Sequence, residues 1–239
     1  MLPISDDNRG RRSTPLVTFA LIGINVLVFF YQLTLSEREL MRFFSEWGAV
    51  PLLVTEEGRW LTLLSSTFLH GGWLHLGGNM LFLWVFGDNV EDVMGHVGYL
   101  IFYLLTGVAA SATQVFLDTA SEIPLVGASG AISGVLGAYI VLFPHGRIIT
   151  LLFIGFFFTT FMLPAWAMIG YWIVLQFIQG FLSLSVRTME TGGVAFFAHV
   201  GGFIAGIALV WLFRDRDRLE RQRLARHGVV PRRQWPQRG

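Results

Sequence analysis

The chain has 239 residues, but only 17 basic and 16 acidic side chains, and a net charge of +1. That is 14% charged, where a soluble domain carries nearer a quarter, and the charges are clumped, leaving 13–36, 60–87, 93–117, 123–146, 148–186 and 191–213 without any. Apolar runs of about 20 residues exclude a soluble fold and an alternating β-barrel, and the lack of Cys excludes disulfides, thiol catalysis and Cys-ligated metals.

In chain order, residues 1–14 carry Arg9, Arg11 and Arg12 and read as a cytoplasmic tail. The apolar run Leu16 to Tyr31 is followed by Gln32-Leu33-Thr34-Leu35-Ser36-Glu37. No small-residue cleavage site stands there, so 15–35 is predicted as a first span rather than a signal peptide. The loop 36–72 holds Trp47 and Trp60, with Trp73 just beyond, the pattern of an element lying at a membrane interface. Spans follow at 73–91, 98–117 and 128–143. Residues 148–163, ahead of the helix-breaking Pro164, are predicted to be interfacial or re-entrant. The fifth and sixth spans are 164–184 and 195–213; Gly192 and Gly193 between them suit a turn or a lid. Residues 214–239 read as a helix extension fraying into a basic tail, a membrane anchor with no nucleic-acid role.

Six spans put both termini on one side. Thirteen arginines fall there and only Arg38, Arg42, Arg59 and Arg187 on the other, so the termini are predicted to be cytoplasmic. The predicted fold class is all-α, a polytopic six-helix membrane bundle at 15–213, set in a bacterial cytoplasmic membrane.

A polar residue inside a span is costly and marks function by default. Counted back at 1.5 Å per residue from the charged or proline-marked inner ends, Ser129 and His199 each lie about 22 Å up, His75 about 20 Å and Asn79 about 14 Å, in a core about 30 Å thick. Three separate spans thus bring polar groups to one level. Gly127, Gly130, Gly134 and Gly137 accompany Ser129, and Gly202 and Gly206 follow His199. Small residues at a spacing of four let helices approach closely, so spans four and six are predicted to touch.

A serine hydroxyl becomes a nucleophile when a base stands within hydrogen-bond reach. His199 is the candidate base. No Asp or Glu lies in the outer half of any span, so the expectation is a Ser-His dyad. A serine in the first helical turn sits beside unpaired N–H groups. His75 and Asn79, one turn apart, suit an oxyanion site. The pair His70 and His75 has neither the Glu nor the spacing of H-E-x-x-H, so no metal and no cofactor is expected. Asp88, Glu91 and Asp92 cluster at the inner end of span two and read as a boundary, not an aspartyl site.

At these residues the sequence resembles the rhomboid family of intramembrane serine proteases, over about 15–213. The carriers are His70-Gly-Gly-Trp-Leu-His75-Leu-Gly-Gly-Asn79, Gly127-Ala128-Ser129-Gly130 and Ala198-His199-Val-Gly-Gly202-Phe-Ile-Ala-Gly206. The resemblance implies Ser129 as nucleophile and His199 as general base. It implies an oxyanion hole of His75, Asn79 and the Ser129 N–H, with His70 structural. Partners would be transmembrane protein substrates in the lipid bilayer, with helix-weakening residues below the cut. Two positions depart from the pattern. Trp60-Leu61-Thr62 lacks the family's Trp-Arg pair, with Arg59 placed earlier, and Ser133 stands where a Tyr often stacks on the His. The competing readings are a non-catalytic binder of membrane helices, which should lack Ser or His, and a transporter, which should have midplane carboxylates.

Overall fold

The computed structural model describes residues 1–155, 157–185 and 196–228. Six long helices fall on the predicted spans within a few residues: α1 (Leu16–Leu33), α5 (Trp73–Met94), α6 (His96–Leu117), α7 (Ser129–Leu142), α8 (Ala165–Ser185) and α9 (Phe196–Phe213). The loop after α1 folds into α2 (Glu37–Trp47), α3 (Pro51–Glu57) and α4 (Thr62–Ser65). Among the described residues α1, α6 and α9 are long and apolar enough to cross a membrane. α7 has 14 residues, and α5 carries Asp88, Glu91 and Asp92 in its last turns. Gly192 and Gly193 lie outside the described residues.

Trp47 and Trp60 are about half exposed and Trp73 more so, as an interfacial element requires. Arg59 pairs with Glu57 at 2.9 Å and reaches the Ser45 carbonyl at 3.4 Å, joining α2 to the turn before α4.

Residues 148–163 are neither a span nor a helix. β2 (Arg147–Ile154) and β3 (Phe157–Pro164) form an antiparallel hairpin, with Gly155 at φ +61° in its turn. The run of Ile, Thr and Phe favours strand over helix, and Pro164 ends it. β1 (Leu2–Asp6) adds to the other edge of β2, giving the order β1-β2-β3. The helical bundle thus carries one small sheet, and the N-terminal tail is part of it. An open sheet has unpaired edge groups and belongs at the water interface, not in hydrocarbon.

The C-terminal segment also departs from expectation. Instead of extending α9, the chain turns at Arg214–Asp215 and starts α10 (Arg216–Arg226). Asp215 sits at φ −86°, ψ 120° and accepts from the N–H groups of Asp217 (3.0 Å) and Arg218 (3.1 Å), an N-cap that fixes a new helix start.

The acids at the inner end of α5 hold these pieces together. Glu91, fully buried, accepts from the Val17 and Thr18 N–H groups at 2.9 and 2.8 Å and from the Thr18 hydroxyl at 2.6 Å, satisfying orphan donors of α1. Asp92 accepts from Ser13 N–H, Arg221 and Gln222 at 2.8, 2.9 and 2.7 Å; Arg11 pairs with Asp88. These carboxylates are therefore structural ties.

In β1, Asp6 accepts from Asn89 at 2.6 Å and from the Tyr139 hydroxyl at 2.7 Å. Burial pushes its carboxyl up to about 6, with Asp7 adding and Tyr139, Arg226 and Asn89 opposing. The folded state therefore favours the protonated form. This contribution is full below the unfolded value near 4 and is lost as pH rises through about 6, a loss of about 1–3 kcal/mol. Thermal unfolding in detergent across that window should show a falling midpoint for the wild type and a flatter profile for Asp6→Asn. Equal slopes would overturn the role of Asp6.

Candidate active site

Ser129 is the first residue of α7, after a loop held by the first-loop helices. Ala49 and Leu125 exchange backbone bonds of 3.1 and 2.9 Å, Leu52 N–H donates to Ser121 at 3.0 Å, and Gly127 N–H donates to the Ser66 carbonyl at 2.9 Å. The segment is locked just before it enters the helix. Gly127 lies at φ +128°, where a side chain is strained, and a Cβ there would fall 2.7 Å from His75 Nε2 and 3.6 Å from Ser129 Oγ.

α7 and α9 touch backbone to backbone, as the glycine spacing predicts. A Cβ on Gly202 would fall 2.1 Å from the Gly130 carbonyl oxygen, and one on Gly206 would fall 2.1 Å from that of Gly134. On α7 itself, a Cβ on Gly137 would fall 2.3 Å from the Phe203 oxygen. This approach carries His199 to Ser129. His199 Nε2 and Ser129 Oγ are 2.7 Å apart, with the imidazole buried and the hydroxyl half-buried. At the helix start, Gln114 on α6 accepts from the Ala198 N–H at 3.3 Å.

The other two sequence candidates lie on α5. His75 stands against Gly127, and its Nδ1 accepts a long bond of 3.4 Å from the Gly71 N–H. An accepting Nδ1 puts the ring proton on Nε2, the nitrogen that stands against Gly127. Asn79 Nδ2 is 3.0 Å from His70 Nε2. Burial and the nearby His75 push His70 down to about 3, so it is neutral and accepts from the Asn79 amide. His70 is itself fixed by Gln32, which donates to its carbonyl at 2.7 Å and accepts from its N–H at 3.1 Å. The structure thus brings Ser129 and His199 into contact, places His75 beside them, and gives Asn79 a first partner in His70.

Two neighbours of His199 were not singled out in the sequence. Gln176 Oε1 lies 2.6 Å from His199 Nδ1, and the Trp172 ring packs at 5.9 Å between centroids, tilted by 51°. Both come from α8. The available signal was a pair of amides, Gln176 and Gln179, in the uncharged stretch 148–186. Ser133 does not reach His199: its hydroxyl donates to the Ser129 carbonyl at 2.6 Å, one turn back. No group of three or more His, Asp or Glu able to hold a metal occurs among the described residues.

A bundle of apolar helices enclosing a serine–histidine contact at a helix start defines an integral membrane protein with a buried polar site. The chain belongs to the rhomboid family: residues 57–216 match the Rhomboid domain. It is 30% identical over 212 residues to Rhomboid protein 1, mitochondrial, of Saccharomyces cerevisiae, covering 87% of this chain and 56% of the relative. It is 31% identical over 193 residues to Rhomboid protease GluP of Bacillus subtilis (80% and 34%). It is 28% identical over 212 residues to Presenilin-associated rhomboid-like protein, mitochondrial, of Homo sapiens (82% and 49%). The chain therefore spans about half or less of the length of these relatives. By name they include a protease and mitochondrial rhomboid-like proteins.

Proposed function

We propose that the chain is an intramembrane serine endopeptidase that cleaves transmembrane segments of membrane proteins through a Ser129–His199 dyad. The carrying observation is the 2.7 Å contact between His199 Nε2 and Ser129 Oγ. Ser129 Oγ attacks the scissile carbonyl carbon while its proton passes to His199 Nε2. The carbonyl oxygen becomes an oxyanion, received by the Ser129 N–H, His75 Nε2–H and the second Asn79 N–H. Collapse expels the amine, which takes the proton from His199 and leaves an acyl-Ser129 ester. Water then attacks the ester, with His199 again as base.

A helical peptide bond is shielded by its own hydrogen bonds, so a substrate helix must unwind to reach Ser129. Substrates with helix-weakening residues below the cut follow from this. The arginine bias supports six spans with cytoplasmic termini, and we assign a bacterial cytoplasmic membrane. The mitochondrial names of several relatives make that the point to check, by locating the protein in its own cell. The units 1–14, 15–213 and 214–239 are read as tail, membrane domain and tail, and the first tail and α10 bond to the acids of α5.

The test is labelling by a fluorophosphonate, expected in the wild type and absent in Ser129→Ala. No labelling of a folded wild type would favour the non-catalytic helix binder. A graded result is expected at the oxyanion site. Asn79→Ala should lower the initial cleavage rate roughly 10²–10³-fold, the usual loss of one donor. It should remain measurably above Ser129→Ala, and adding His75→Ala should lower it further. Wild-type rates in Asn79→Ala would make Asn79 only a partner of His70.

A further inference from the structure

We propose that Gln176 is the third member of the site: a neutral positioning residue that fixes the tautomer and the plane of the His199 ring. The inference rests on the Ser129–His199 reading above. A neutral imidazole carries one ring proton. For His199 to take the Ser129 proton, that ring proton must sit on Nδ1, leaving the Nε2 lone pair facing Oγ. The carbonyl oxygen of Gln176, 2.6 Å from Nδ1, accepts that proton and selects this tautomer.

The ring is held from three directions: Ser129 at Nε2, Gln176 at Nδ1, and Trp172 against the ring. Trp172 and Gln176 are four residues apart on α8, so one helical face presents both. His199 is buried, so its Nδ1 proton would be costly to leave unpaired. A carboxylate at this point would be an uncompensated charge beside a membrane-depth imidazole. An amide gives the same acceptor without the charge and its desolvation cost. The amide-oriented Cys-His-Asn sites of soluble proteases show that such a third member suffices for orientation. When His199 becomes an imidazolium during attack, the same oxygen faces the positive ring.

Two full-length variants in detergent separate orientation from packing. Gln176→Met keeps the length and removes the acceptor; Gln176→Glu, held as the neutral acid at this depth because the charged form is too costly, keeps a carbonyl acceptor in place. The first readout is the ¹⁵N NMR signature of His199, which needs no turnover. The wild type should show a protonated Nδ1 and a bare Nε2, Gln176→Glu should keep it, and Gln176→Met should show a mixture. The second readout is kinetic. Gln176→Met should lower kcat and the rate of Ser129 labelling by about tenfold or more, given the worth of one such hydrogen bond in a catalytic site. KM and the melting temperature should be unchanged, and Gln176→Glu should label within a few-fold of wild type. A merely packed glutamine would let Met and Glu fall together, with the tautomer unmoved; that result, or a wild-type kcat in Gln176→Met, would overturn the proposal. A wild type that shows the Nδ1–H tautomer but is never labelled would instead remove the dyad reading and keep the Gln176 contact.

Discussion

Ser129→Ala and His199→Ala are each expected to reduce cleavage of a transmembrane substrate to background while leaving the protein folded. In the proposed mechanism Oγ forms the acyl bond, and Nε2, 2.7 Å away, takes its proton. Removing either member of a unit that acts together costs about as much as removing both, so the double variant should be no worse than the singles. Ser129 is half-buried and its hydroxyl contributes little packing, so the melting temperature should move by no more than a surface change would. The measurement is initial rate with purified variants, with unfolding as the control. Turnover by Ser129→Ala well above background would remove Ser129 as nucleophile.

Gly202→Ala is expected to have the second largest effect, through one methyl group. The added Cβ would lie 2.1 Å from the Gly130 carbonyl oxygen and 3.2 Å from the Ala110 Cβ. The first neighbour is backbone and cannot rotate away, so α7 and α9 must separate by an ångström or more. Gly130 follows Ser129, and Gly202 lies one turn after His199, so the strain falls on the serine–histidine contact. A misplacement of about 1 Å costs on the order of 10²-fold in rate, and overpacking destabilises by about 1–3 kcal/mol. Gly170→Ala on α8 is the matched control. Nothing lies within 4 Å of its Cβ position, so an unstrained helical alanine should be neutral or gain about 0.5–1 kcal/mol. Equal behaviour of the two variants would show that α7 and α9 are not packed as closely as described.

The helices and the central pair were legible because membrane burial writes strong signals. Uncharged runs gave six helices within a few residues, and glycines four apart gave the α7–α9 approach. Depth counting put Ser129 and His199 level before any contact was known. Four features were hidden. The hairpin 147–164 is apolar on both faces, so neither a period of two nor one of 3.6 stood out. The break before α10 depends on one cap, Asp215, inside a run of alternating charges. Gln176 was hidden because an uncharged amide in an apolar run carries no charge signal, and its contact with His199 Nδ1 is fixed only by the packing of α8. The Asn79–His70 contact is a matter of side-chain direction, which spacing along one helix does not fix.

The lock at the inner end of α5 imposes an order of events during synthesis. Thr18 waits for Glu91, 73 residues later, to cap the start of α1. At about 5–20 residues per second that is roughly 4–15 s, during which the early donors must be solvated by water or headgroups. Asp92 waits longer still, since Gln222 follows it by 130 residues. A segment inserted first is thus pinned by one made midway, which is itself secured by one made near the end.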